Sequence, residues 1–193
     1  MRGFYGVVEG PGLARRLVAA GACAIQLRMK HATTRELVAA GRAVRDEVSG
    51  VPFIVNDRLD VALVVGADGV HLGQDDLPLD AALRLAGGRL LIGVSTHNVE
   101  QARAAARGGA SYLGFGPVYA TATKENPDPV QGLAALAQAV RAASPVPVVA
   151  IGGVTPAVAG ELARAGAAAA CAISAVNGAG DVEAAARAIG AAF

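Results

Sequence analysis

Gly21-Ala22-Cys23-Ala24-Ile25-Gln26-Leu27 sets a glycine–alanine pair before a short apolar run, and the pair returns at Gly66-Ala67, Gly109-Ala110 and Gly166-Ala167. The spacings are 45, 43 and 57 residues. Each pair closes an Ala/Leu/Arg stretch of helical period and opens a short run fit for a strand. Each period has room for two strand–helix units, so four periods give eight. The strands are expected at Phe4–Val8, Ala24–Leu27, Phe53–Asn56, Gly69–Leu72, Leu90–Val94, Tyr112–Phe115, Val148–Ile151 and Ala170–Ile173. The helices between them are expected near 11–20, 34–48, 58–65, 78–86, 98–107, 131–142, 156–164 and 181–191. Thr33 with Glu36 reads as a capping box, Asn98 as an N-cap, and Thr155-Pro156 as an N-cap followed by proline at the first helical position. Gly21, Gly66, Gly87, Gly108 and Gly166 read as C-cap glycines.

Eight alternating pairs with no long crossover and no lone edge strand favour a closed (β/α)8 TIM barrel over its rival, a doubly wound open sheet. The 193 residues are expected to form one barrel domain over 1–193, near the lower size limit for this fold. Hydrophobic residues make up 53% of the chain and the mean hydropathy is +0.44, which excludes a disordered or filamentous chain. Aromatics are only 4%, so much of the apolar content is small side chains, suited to helices packed closely on a sheet. With 17 basic and 16 acidic residues the net charge is +1, and no global field draws in nucleic acid or an anionic membrane. Cys23 and Cys171 have no second Cys or His at ligand spacing, which argues against a disulfide scaffold or a structural zinc. Met1-Arg2-Gly3 begins no signal-type apolar run, so the expected location is the cytoplasm. Ala-rich helix faces serve equally as core or as interface, which leaves a monomer and a homodimer both open.

Barrel chemistry belongs at the C-terminal ends of the strands. There the chain places Gln26-Leu27-Arg28-Met29-Lys30, Asn56-Asp57-Arg58, His71 to Asp76, Ser95-Thr96-His97, Gly116 to Lys124, Gly152-Gly153 and Ile173-Ser174. The opposite ends carry mostly Gly, Ala and Pro. That asymmetry points to an enzyme.

Gln26, Arg28 and Lys30 alternate, so on an extended strand end they face one side, a group suited to a phosphate or diphosphate. Asp57 and Asp76 leave neighbouring strands, and converging carboxylates with room for water and phosphate oxygens describe a magnesium site. Asp57 could instead pair with Arg58 or cap the next helix, and Asp75 competes with Asp76 as the second ligand. Only Lys30 and Lys124 are lysines, and both fall among the anion-binding candidates. The loop from Gly116 joins a Gly-Pro turn, the hydroxyls of Thr121 and Thr123 and the ammonium of Lys124 as an anion clamp, and Gly152-Gly153 with Ser174 occupies a position where barrels hold phosphate. His31, His71 and His97 read as structural or surface histidines, since no Ser/His/Asp arrangement accompanies them.

Taken together, Gln26-x-Arg28-x-Lys30, Asn56-Asp57, His71-Leu72-Gly73-Gln74-x-Asp76, Gly93-Val94-Ser95, Gly116-Pro117-Val118-Tyr119-x-Thr121-x-Thr123-Lys124 and Ile151-Gly152-Gly153 resemble the thiamine-phosphate synthase family. The resemblance runs in order from the first strand to the last. It implies that pyrophosphate leaves a hydroxymethylpyrimidine diphosphate and that the nitrogen of a thiazole phosphate takes its place. It implies pyrimidine-diphosphate contacts at Gln26, Leu27, Arg28, Met29, Lys30, Asn56, Ser95 and Lys124, with Arg28, Lys124 and Ser95 as catalytic residues. Thiazole-phosphate contacts are implied at Thr121, Ala122, Thr123, Gly152, Ile173 and Ser174, and Mg2+ ligands at Asp57 and Asp76. The sequence departs from the family at Met29, where glutamate is usual, and at Ala120, where proline is common. Thiazole tautomerases are similar in sequence but offer a histidine after the glycine that Pro117 follows here. A non-catalytic ligand sensor of the same pathway is a further alternative, which retention of Asp57, Asp76 and Lys124 disfavours.

Overall fold

A computed structural model describes residues 1–121 and 128–193. It contains strands β1 (Gly3–Val8), β2 (Ala24–Leu27), β3 (Phe53–Asn56), β4 (Gly69–Leu72), β5 (Leu91–Thr96), β6 (Tyr112–Phe115), β7 (Val148–Ile151) and β8 (Ala169–Cys171). The helices are α1 (Pro11–Ala19), α2 (Thr34–Glu47), α3 (Leu59–Val64), α4 (Leu79–Ala86), α5 (Val99–Arg107), α6 (Gly132–Ala143), α7 (Ala159–Arg164), α8 (Ser174–Asn177) and α9 (Val182–Gly190). The strands pair in parallel in chain order, and β8 pairs with β1. Closure excludes the doubly wound alternative.

The repeated glycine–alanine pair is a helix stop. Gly21, Gly66, Gly109 and Gly166 all have positive φ (86°, 66°, 94° and 96°), a backbone region costly to any residue with a Cβ. The following alanine then donates back into the helix: Ala22 to Leu17 O, Ala67 to Ala62 O, Ala110 to Ala105 O and Ala167 to Leu162 O, at 2.9–3.2 Å. This satisfies carbonyls that the helix end leaves open and turns the chain into the next strand. In the third pair Gly109 takes the left-handed position; Gly108, expected there, stays right-handed as the C-cap itself. The capping box at Thr33 and the Asn98 cap both form, with Glu36 N donating to Thr33 Oγ1 and Gln101 N to Asn98 Oδ1.

Three boundaries differ from the sequence reading by two residues or more. Thr155-Pro156 is not an N-cap: a turn closed by Val158 N to Thr155 O precedes α7, which begins at Ala159. β8 stops at Cys171 rather than Ile173, because the chain turns there into the four-residue α8, too short to show a helical period. β5 runs on to Thr96, whose hydroxyl donates to Gly114 O on β6.

Strand alternation separates two cores. Outward residues such as Val8, Leu27, Phe53, Leu72, Phe115 and Ala150 pack under the helices. Inward residues Tyr5, Val7, Ala24, Ile54, Tyr112, Val149, Ala169 and Cys171 fill the barrel. The register places Tyr5 beside Ala24 and Cys171, Asn56 beside His71, and Ser95 beside Gly114, so the inward parity is fixed all the way round. Toward the C-terminal ends of the strands the inward residues turn polar, and there the site lies.

Candidate active site

A cavity of about 560 Å³ opens at the C-terminal end of the barrel, a size suited to small organic molecules. Gln26, Arg28 and Lys30 line it together. Arg28 N donates to Val8 O at 2.9 Å, which carries the β1–β2 ladder one residue past β2 and keeps the alternation going. The intervening Leu27 and Met29 are therefore directed outward: Leu27 is fully buried in the outer core and Met29 packs against it. Their side chains do not line this cavity, so any contact they make with its contents is through the backbone. A second cavity of about 570 Å³ lies on the Met29 side, lined also by Glu9, His31 and Arg58, and shares Arg28, Lys30, Asn56 and Asp57 with the first.

Asp57 has φ +62°, the one positive value outside glycine among the described residues. Arg58 N donates to Asn56 O at 2.7 Å across it, the hydrogen bond of a γ-turn, while Asp57 N donates to His71 O at 2.8 Å on β4. Such a conformation costs on the order of 1–3 kcal/mol and needs support from its surroundings. It brings the Asp57 carboxyl within hydrogen-bonding reach of Asp76, whose Oδ2 accepts from Gly73 N at 2.6 Å. Burial, the bond to Asp76 and its charge push the Asp57 pKa up to about 6, against the pull of Arg28 and Lys30. Asp75 lines the cavity but is exposed. Arg58 is engaged elsewhere, forking onto Asp60 at 2.6 and 2.9 Å, so the Asp57–Arg58 pair is not formed. A carboxyl whose proton is held more tightly because a second carboxylate lies beside it also suits a hard cation. No group of three or more His, Cys, Asp or Glu side chains forms a metal cluster among the described residues.

Below these groups, polar side chains interlock. Gln26 Nε2 donates to Tyr5 Oη at 2.9 Å, Tyr5 Oη lies 2.8 Å from Tyr112 Oη, and Tyr112 Oη lies 3.0 Å from His71 Nδ1. His71 Nε2 lies 2.9 Å from Ser95 Oγ. Burial lowers the His71 pKa to about 4 and raises those of both tyrosines, so all three are neutral near pH 7. His71, expected to be merely structural, thus lines the cavity, as does His97, whose Nδ1 lies 2.7 Å from Gly116 O and 3.5 Å from Asp128. His31 is exposed, as expected. Tyr5 and Tyr112 were absent from the sequence reading. Each sits in an apolar run that reads as plain core, and its facing direction follows only from the strand register.

The far wall comes from β6, β7 and β8. Thr121, Gly152, Gly153, Ile173 and Ser174 line the cavity there. A Cβ on Gly152 would lie 2.5 Å from Pro117 Cα, and one on Gly153 would lie 2.6 Å from Ala120 O. The pair is therefore glycine because the segment after β6 lies on it, held by Val118 N to Ile151 O and Tyr119 N to Gly152 O. Ser174 and Ala175 open α8, where amide N–H groups lack intrahelical acceptors. Ala122, Thr123 and Lys124 lie outside the described residues.

A family model described as thiamine monophosphate synthase matches residues 9–176. The chain is 50% identical over 172 residues to the thiamine-phosphate synthase of Chloroflexus aurantiacus, covering 88% of this chain and 79% of the relative. It is 49% identical over 195 residues to the thiamine-phosphate synthase of Anaeromyxobacter dehalogenans, covering 99% and 87%. Among solved structures it is similar to a thiamine phosphate pyrophosphorylase from Pyrococcus furiosus, with a TM-score of 0.90 and 37% identity over 98% of this chain and 94% of that one.

Proposed function

Since the chain belongs to the thiamine monophosphate synthase family of transferases, we propose that its barrel mouth joins a hydroxymethylpyrimidine diphosphate to a thiazole phosphate, with release of pyrophosphate. The observation that carries this reading is that residues able to hold an anion line both sides of one cavity. Arg28, Lys30 and Asn56 stand over β2 and β3, while Gly152 and Ser174 stand over β7 and β8, on the other side of an eight-stranded closed ring. Joining a diphosphate to a monophosphate needs two such sites facing one another.

In this reading Arg28 and Lys30 take the diphosphate through charge-assisted hydrogen bonds, and Gln26 and Ser95 take the ring. Lys124 joins the diphosphate side on the strength of the family resemblance. Asp57 and Asp76 hold Mg2+, which when bound neutralises charge on the departing pyrophosphate. The thiazole phosphate is held at Gly152, Ile173 and Ser174, with the nitrogen lone pair turned toward the pyrimidine methylene carbon. The carbon–oxygen bond to pyrophosphate breaks with its electron pair on oxygen, and the thiazole nitrogen supplies the pair for the new carbon–nitrogen bond. No proton has to leave the nucleophile, so the reaction calls on the anion-binding groups of the cavity rather than on a general base. Both substrates are phosphorylated and so do not cross a membrane unaided, which supports a cytoplasmic reaction.

The experiment supplies both substrates with magnesium and follows thiamine phosphate and pyrophosphate together. Equal amounts of the two are expected. Isomerisation of a thiazole carboxylate without pyrophosphate would indicate a tautomerase, and binding of thiamine phosphate without turnover a sensor.

A further inference from the structure

The side chains between Gln26 and Ser95 form an unbroken run of hydrogen bonds: Tyr5, Tyr112 and His71, with separations of 2.8–3.0 Å. We propose that this run is a directional relay in which His71 acts as a positioning residue, fixing Ser95 as a hydrogen-bond donor to the cavity whenever Gln26 turns its amide nitrogen to Tyr5.

The direction follows from counting protons. Gln26 Nε2 donates to Tyr5 Oη. The Tyr5 proton then has Tyr112 Oη as its acceptor, and the Tyr112 proton has His71 Nδ1. An imidazole that accepts at Nδ1 carries its single proton on Nε2, which faces Ser95 Oγ. Ser95, already accepting, is left with its own proton to give. Reversing any one link leaves either a buried proton without an acceptor or two buried acceptors facing with no proton between them, and each carries a penalty, so the links reverse together or not at all. The complete reversal requires the Gln26 amide to flip, and the cavity then meets its nitrogen while Ser95 offers a lone pair. The two ends therefore change polarity in concert.

The backbone is shaped around this run. A Cβ on Gly93 would lie 2.1 Å from Tyr112 Cζ, and one on Gly114 would lie 3.2 Å from His71 Cε1. Two neighbouring strands thus give up a side chain where the two central rings sit. Those rings lie 5.4 Å apart and tilted by 31°, which holds the imidazole edge between the tyrosine and the serine.

The ligand chemistry follows from the ends: an acceptor at Gln26 and a donor at Ser95 select an aromatic heterocycle offering a donor to the first and an acceptor to the second. Identifying that ring as the aminopyrimidine rests on the function proposed above; the relay itself does not.

The test is nitrogen NMR of the histidine rings in the full 15N-labelled chain without substrate, with His71 assigned by its loss in His71→Gln. The native chain is expected to hold its His71 proton on Nε2. In Gln26→Glu at mildly alkaline pH the carboxylate only accepts, so Tyr5 must donate to it and the His71 proton should move to Nδ1, two tyrosines away. Adding Tyr5→Phe to Gln26→Glu should return the proton to Nε2. A native chain protonated on Nδ1 overturns the proposal, whether or not the variants fold. So does a Gln26→Glu protein that keeps its proton on Nε2. Pyrophosphate release by the same native sample reports separately on the function, so loss of one reading is told apart from loss of the other.

Discussion

The Asp57 carboxyl meets that of Asp76 across the ends of neighbouring strands, held there by a γ-turn on one side and the Gly73 amide on the other. Arg28 and Lys30 bear on the same carboxyl, so a cation at the pair would stand next to the groups proposed to hold a diphosphate. Excess chelator is therefore expected to abolish turnover and magnesium to restore it. Asp57→Asn and Asp76→Asn should each raise the magnesium concentration for half-maximal rate, while the exposed Asp75→Asn should leave it unchanged. A raised requirement in Asp75→Asn with none in Asp76→Asn would reverse the ligand assignment.

Arg28, like Lys30, lines both cavities. A charge-assisted hydrogen bond is worth roughly 1.5–3 kcal/mol, so Arg28→Ala should lower kcat/KM for the pyrimidine diphosphate by about tenfold or more. Arg84→Ala removes a charge that faces solvent on α4, paired with Asp80 one turn away, and should leave the kinetics unchanged. Equal kinetics in Arg28→Ala and Arg84→Ala would remove Arg28 from the site.

Gly93 has no side chain because the Tyr112 ring occupies its space. Gly93→Ala forces the ring or strand β5 to shift, an overpacking cost of typically 1–3 kcal/mol. Urea denaturation should show a lower midpoint with an unchanged slope. Gly12→Ala, where nothing lies within 4 Å of the new carbon, should not be destabilised in this way.

His71 makes stability depend on pH with a defined sign. Burial lowers its pKa to about 4 from the ordinary 6.5, so below pH 6.5 the unfolded chain takes up a proton that the folded chain refuses. Its contribution is full above pH 6.5 and is lost as pH falls toward 4, by at most about 3 kcal/mol. Denaturation curves of the native chain and of His71→Gln should converge over that interval. Parallel curves would mean that His71 titrates normally in the folded protein.

The barrel was legible because its stop signal is chemical: only glycine takes the left-handed turn cheaply, and four glycine–alanine pairs mark four helix ends. The cationic edge was legible because Arg28 and Lys30 repeat with the period of a strand. Convergence of Asp57 on Asp76 could be expected from neighbouring strands, but the choice of Asp76 over Asp75 depends on a loop bond to Gly73 N that sequence spacing does not encode. Tyr5 and Tyr112 were hidden because a tyrosine within Phe-Tyr or Tyr-Leu looks like core, and their facing direction is settled only by pairing with Ala24, Cys171 and Gly93. α8 was missed because four residues hold barely one turn.

The order of bond breaking and bond making is the last expectation. Arg28 and Lys30 line the cavity as cations for a departing anion, and the thiazole nitrogen already has its lone pair, so no base is needed to sharpen the nucleophile. The barrier then lies in separating charge along the carbon–oxygen bond, and stabilising the pyrophosphate is what the site can do about it. Prior placement of the thiazole lets it capture the pyrimidine methylene cation before water does. On this path an electron-withdrawing substituent on the pyrimidine destabilises the cation and should slow bond formation steeply. Single-turnover rates against substituent, with product release excluded as the slow step, measure the effect. A flat or rising response would mean that nitrogen attacks before oxygen leaves. Arg28 and Lys30 would then act mainly by orienting the diphosphate for displacement, and the Arg28→Ala loss should fall on KM rather than kcat.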